Sequence, residues 1–135
     1  MKPIAFANVL LAGLLLTGAT ALAQNTQPEP QITRTDLVRA DAHVEGQELL
    51  QVRVDIPEGV LAPMHVHPGD EVAYVLQGTF EYRLGDAAPV TLHAGQSLFI
   101  PAGTPHSAKN TGDGTASELA TYVVEKGKPL VVLRK

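Results

Sequence analysis

From Leu50 to Ile56 the chain alternates: Leu50, Val52, Val54 and Ile56 are apolar, and Gln51, Arg53 and Asp55 between them are polar. A period of two marks a β-strand with one face in a core and the other in water. Pro57-Glu58-Gly59 stops the run. Similar short segments predict strands at Ala62–His67, Glu71–Gln77, Thr79–Leu84, Val90–His93, Ser97–Ile100, His106–Asn110 and Glu118–Val124, and a last one at Leu130–Leu133. Turn residues punctuate nearly every gap, as at Pro68-Gly69-Asp70, Gly85-Asp86, Pro101-Ala102-Gly103 and Gly112-Asp113-Gly114. No convincing amphipathic helix follows Gln24. Many short strands with turn signals between them predict an all-β antiparallel sandwich or barrel, and without an internal repeat there is material for one such unit.

The first residues follow a different pattern. Lys2 precedes a mostly apolar run from Ile4 to Leu16, and Ala21-Leu22-Ala23 is a small-x-small cleavage site. The apolar run falls short of the ~20 residues that a spanning helix needs. Residues 1–23 are therefore expected to be a secretory signal peptide, which places the mature protein in the periplasm or outside the cell. Residues 24–30 are polar, with two prolines, and read as a flexible leader. The folded domain is expected over 31–135.

Charge narrows the partners. The net charge of the 135-residue chain is −4, and Lys2 would be lost with the signal. A mildly acidic surface without a basic run argues against nucleic acid and, after signal cleavage, against membrane binding. There is no cysteine, so an exported domain must hold together through its core, a metal or association rather than through disulfides. Leu130–Leu133 and the segment around Ile32–Val38 are candidate exposed edges.

The candidate chemistry begins at His65 and His67. Residues i and i+2 of a strand point to one face, so both imidazoles can reach one point. The Pro68-Gly69-Asp70 turn lets Glu71 return to the same place on a new strand. Imidazole nitrogens and a carboxylate suit a divalent transition metal such as Fe, Mn, Ni, Cu or Zn. On spacing alone, a metal site and a pair of surface histidines beside a turn stand about level. Further on, an apolar strand runs into the Pro101-Ala102-Gly103 corner, and His106 follows.

Together these segments resemble the cupin family. Gly59-x5-His65-x-His67-x3-Glu71-x6-Gly78 matches the family's first signature at every defined position. Gly95-x5-Pro101-x-Gly103-x2-His106-x3-Asn110 matches the second. Only 16 residues separate Gly78 from Gly95, as in compact single-domain bacterial members of type-2 cupin kind. The resemblance implies a single-domain jelly-roll β-barrel of six to eight strands that holds one metal through His65, His67, Glu71 and His106. It also implies a homodimer. Three nitrogens and one anion leave coordination positions open, as a catalytic site requires.

The other residues are read more plainly. Gly59, Gly78, Gly95 and Gly103 serve backbone conformation. Asn110 is given a structural role in a turn or the barrel interior. His43 and His93 have no partner spacing and are taken as surface positions. Tyr74 lies three residues from Glu71, an odd offset, and should point away from the metal. Phe80, Tyr82 and Phe99 are expected in the core or pocket, and Ala73, Ser97 and Ala108 as small pocket residues. Glu81 and Glu118 are expected to be solvated.

The expected function is a metal-dependent small-molecule enzyme of dioxygenase-like type acting on a chelating, oxygenated substrate. Its catalytic residues beyond the ligands are not identifiable. The alternatives are a non-redox isomerase, hydrolase or lyase acting on a sugar or small acid, and a non-catalytic ligand-binding module. A general base beyond the ligands would favour the non-redox enzyme.

Overall fold

The computed structural model describes residues 31–134. The expected signal peptide and leader lie outside these residues. Ten strands and no helix are found among the described residues: β1 (Thr33–Asp41), β2 (Gln47–Ile56), β3 (Leu61–Val66), β4 (Gly69–Gln77), β5 (Thr79–Leu84), β6 (Val90–His93), β7 (Ser97–Ile100), β8 (His106–Asn110), β9 (Ala116–Glu125) and β10 (Val132–Leu133). The six to eight strands implied by the family resemblance fall short of this count, whereas alternation and turn residues had marked nine segments and left β1 only as a candidate edge.

Two five-stranded sheets form, in the orders β1-β2-β9-β4-β7 and β10-β3-β8-β5-β6. The pairings are antiparallel. Neighbours in sequence often lie in different sheets. β3 and β4, for instance, are joined by a short hinge yet sit on opposite walls. This places residues from both motifs on facing walls.

The alternation read in β2 is realised. Leu50, Val52, Val54 and Ile56 are buried and join Ala73, Val75, Phe80, Tyr82, Ala120, Tyr122 and Val124 in one core. The two candidate edges are indeed edges: β1 bounds one sheet, β10 the other. All nine residues of β1 are exposed, so main-chain pairing with β2 is its chief attachment.

Two side chains depart from expectation. Phe99 is 56% exposed and Ser97 is also exposed. Their register partners on β4 are Val72 and Tyr74, which face outward, and antiparallel partners share a face. The inward phase of β7 holds Leu98, half-buried against the core, and the buried Ile100. Tyr74, 40% exposed, points away from the interior as its offset required.

Candidate metal centre

Each ligand candidate is positioned by a local feature of the chain. On β3 the pairing with β8 shifts register between Ala62 and His65, a β-bulge that contains Pro63. Proline has no N–H to give to a ladder and is tolerated at such bulges. The shift lets Ala62 and His65, an odd offset apart, both turn inward. It also sets His65 directly opposite His106, the first residue of β8, with ring centroids 4.2 Å apart.

His67 lies one residue past the end of β3. The expected three-residue turn is shorter than predicted, because β4 already begins at Gly69. A Cβ on Gly69 would lie 2.0 Å from the Val123 carbonyl oxygen, so only glycine permits β4 to start this close to β9. Two residues on, Glu71 points inward. The second motif is fastened to this hinge: Gly103 N donates to the His67 carbonyl at 3.0 Å, and Ala102 N donates to Asp70 Oδ1 at 2.9 Å. The four glycines assigned to backbone conformation all have positive φ.

The four side chains meet. His65, His67, Glu71 and His106 are all buried. One ring nitrogen of each histidine lies within 4.8 Å of the others, a triad able to hold a metal ion. A Glu71 carboxylate oxygen is 3.0 Å from His67 Nε2 and 3.3 Å from His106 Nε2.

The ring protons are set by the backbone. His65 Nδ1 donates to the Pro63 carbonyl at 2.7 Å, His67 Nδ1 to the Leu130 carbonyl at 2.6 Å, and His106 Nδ1 to the Thr104 carbonyl at 2.8 Å. A carbonyl can only accept, so in each neutral ring Nε2 is left as a lone pair. His67 Nε2 and Glu71 Oε2 are buried without a hydrogen-bond partner although they are close. A lone pair facing a carboxylate in an apolar interior is costly unless a cation or a proton lies between them. The donor set therefore fits a metal of the imidazole-and-carboxylate type.

The electrostatics agree. Burial pulls the His65 pKa down to about 4, so the ring is neutral near pH 7. Burial also disfavours a charge on His106, but the Glu71 carboxylate prevails and raises its pKa. Burial would raise Glu71, yet His106 and then His67 outweigh it and hold the carboxyl down at about 2. Protons and cations thus compete for one point beside a fixed negative charge.

Glu118 corrects the reading of a solvated acid. It is 6% exposed and lines the same pocket as His65, Glu71 and His106. The Tyr82 hydroxyl donates to Glu118 Oε2 from the opposite sheet. Burial, then the charge of Glu71, pushes the Glu118 pKa up to about 7. Burial and then the Glu118 charge push Tyr82 upward as well, so it stays a neutral donor. Tyr122 packs edge-on against the His67 ring at 4.8 Å. The signal for Glu118 was its phase: Glu118, Ala120, Tyr122 and Val124 are successive inward residues of β9. The opposite phase also holds large apolar residues, Leu119 and Val123, so the alternation was too blurred to fix Glu118 inside.

Of the other expectations, Ala108 lines the pocket and Ala73 lies in the core. Glu81 is partly exposed and pairs with Arg83, while His43 and His93 are exposed. The pocket has a volume of about 10 Å³, with walls that include Val54, Ala62, Ile100 and Ala108.

The comparisons with known proteins fit this geometry. The family model described as "Cupin domain" matches residues 52–130. Dimethylsulfoniopropionate lyase DddQ of Ruegeria pomeroyi is 34% identical over 56 residues, which cover 42% of this chain and 28% of the lyase. Its crystal structure superimposes with a TM-score of 0.56 at 29% identity, over 63% of this chain and 42% of that one. Germin-like protein subfamily 3 member 3 of Arabidopsis thaliana is 35% identical over 88 residues, 62% of this chain and 42% of the plant protein. The chain thus spans less than half the length of these curated relatives. A Klebsiella pneumoniae protein with a double-stranded β-helix domain shares the fold at a TM-score of 0.64 and 21% identity, over 81% of this chain and 90% of that one.

Proposed function

The chain belongs to the cupin domain family, and from that premise we propose that it is a metal-dependent enzyme performing acid–base chemistry on a small oxygenated molecule. His65, His67 and His106, with Glu71, would hold the divalent ion. When bound, the ion supplies Lewis acidity that polarises a carbonyl or acidifies a hydroxyl.

The observation that carries the reading is Glu118. A buried carboxyl with a pKa near 7 lines the pocket, hydrogen-bonded to Tyr82. A group poised near neutrality can take a proton from substrate and return it. Tyr82 steadies the ionised carboxyl by donating to Oε2. This is the additional base whose presence favours a non-redox isomerase, hydrolase or lyase over an oxygenase. The lyase named among the relatives supports the same direction.

The test is turnover by metal-loaded protein on a panel of hydroxy acids, sugars, diketones and flavonols, with and without oxygen. Equal turnover under both conditions is expected. Glu118→Gln should lower kcat by about 10²- to 10⁴-fold while metal content stays constant. Product formed only with oxygen uptake would restore the oxygenase. Tight binding without product under either condition would leave a binding module.

A further inference from the structure

Ten of the eleven residues lining the pocket are buried, and the exception is Arg34 on β1. Arg34 pairs in register with Val54, whose side chain is inward and lines the same pocket. Antiparallel partners share a face, so Arg34 stands on the inner side of the sheet. As the exposed member of a buried lining, it marks the mouth.

Its guanidinium makes no contact ion pair, although Glu118 lies within range of its charge. Arg39 is paired with Glu48, Arg53 with Asp55 and Arg83 with Glu81. Arg34 is in none of the ion pairs among the described residues. A guanidinium with no carboxylate in direct contact at the entrance of a site is suited to capture one, because its planar fork matches two carboxylate oxygens.

We propose that Arg34 is the recognition residue for a carboxylate on the substrate, so that the substrate class is small 2-hydroxy or 2-oxo acids. The inference rests on the metal-centre reading above. The acid group engages Arg34 at the mouth, and the neighbouring hydroxyl or carbonyl oxygen is directed toward the histidine triad. The pocket of about 10 Å³, walled by Val54, Ala62, Ile100 and Ala108, admits little more than that one oxygen, so the rest of the acid stays at the mouth beside Arg34. One guanidinium is then the device that separates acids from their neutral analogues.

The test is calorimetric titration of the full protein loaded with Zn²⁺, using lactate and pyruvate against lactamide and pyruvamide. The acids should bind at least about tenfold tighter than the amides, the scale of a charge-assisted hydrogen bond. Arg34→Gln should erase that preference, and Arg34→Lys should retain part of it. Melting curves report whether each variant is folded. Equal binding of acids and amides by the unaltered protein overturns the inference. An unchanged preference in folded Arg34→Gln also overturns it, and would show that the guanidinium serves only to offset Glu118. Failure of the unaltered protein to take up Zn²⁺ overturns the metal-centre reading together with this one, whereas uptake without an acid preference overturns this one alone.

Discussion

The two ends of β8 carry buried polar side chains with opposite fates. Asn110, at the C-terminal end, is fully buried. Its amide nitrogen donates to the Ile56 and Gly114 carbonyls at 2.8 and 2.7 Å, and its Oδ1 accepts from Gly112 N at 3.0 Å. At the other end, roughly 13 Å away at the rise of an extended strand, His106 joins a cluster in which His67 Nε2 and Glu71 Oε2 have no hydrogen-bond partner. Burial of a polar group is tolerable only when its bonds are made. Asn110 makes them within the protein, and the result is stability. The histidine cluster leaves them to be made by something else, and the result is a triad able to hold a metal ion. Satisfaction, rather than burial or polarity, separates the structural group from the functional one.

The largest expected effect breaks the binding end alone. His65→Ala with His67→Ala should weaken metal binding on the order of a thousandfold or more, because two of the nitrogen ligands are gone. The circular-dichroism spectrum should remain that of the folded protein, since neither histidine belongs to the hydrophobic core cluster. Metal analysis and spectroscopy of the same sample check both statements, and loss of the folded signal would make the ion a structural one.

Next in size is the reciprocal change. Asn110→Ala leaves two carbonyls and one N–H without their partner. At about 1 kcal/mol for each lost bond, the melting temperature should fall on the order of 10–20 °C. Metal content per folded molecule should not change. A variant that lost metal at undiminished stability would erase the distinction between the ends.

The smallest effect concerns Glu118, which stands between the two classes with one bond from Tyr82 and a pKa near 7. An unfolded glutamate ionises near 4.5, whereas the folded one retains its proton to about 7. The folded state therefore binds more protons across that window, and stability falls as pH rises through it. The contribution is complete below pH 4.5 and lost above 7. Glu118→Gln in chelator-treated protein should flatten this dependence, raising the melting temperature by a few degrees at pH 8 relative to the unaltered chain and little at pH 5. An unaltered slope would mean that Glu118 is not buried as an acid.

Much of this was open to reading along the chain. The strands from β2 to β9 follow from alternation and from turn residues, which are local properties. The pairing of His65 with His67, and the return of Glu71 after Pro68-Gly69, follow from spacing. The two long motifs brought His106 into the same set through family resemblance.

Alternation states which residues share a face but not which face is inside. On β4, Val72, Tyr74 and Leu76 compete with Ala73 and Val75, and on β9 Leu119 and Val123 compete with Ala120 and Val124. Register against neighbouring strands resolves both, with Val75 opposite Glu118 and both buried. The outward fate of Phe99 and Ser97, and the inward fate of Glu118, follow from that choice. So does Arg34, whose place at the mouth depends on pairing with Val54 across 20 residues of chain. The amino-acid sequence by itself determined the β-architecture and the donor set for a cation. Only the tertiary structure decided which acid and which arginine face that point, because long-range strand pairing carries no signature in any single segment.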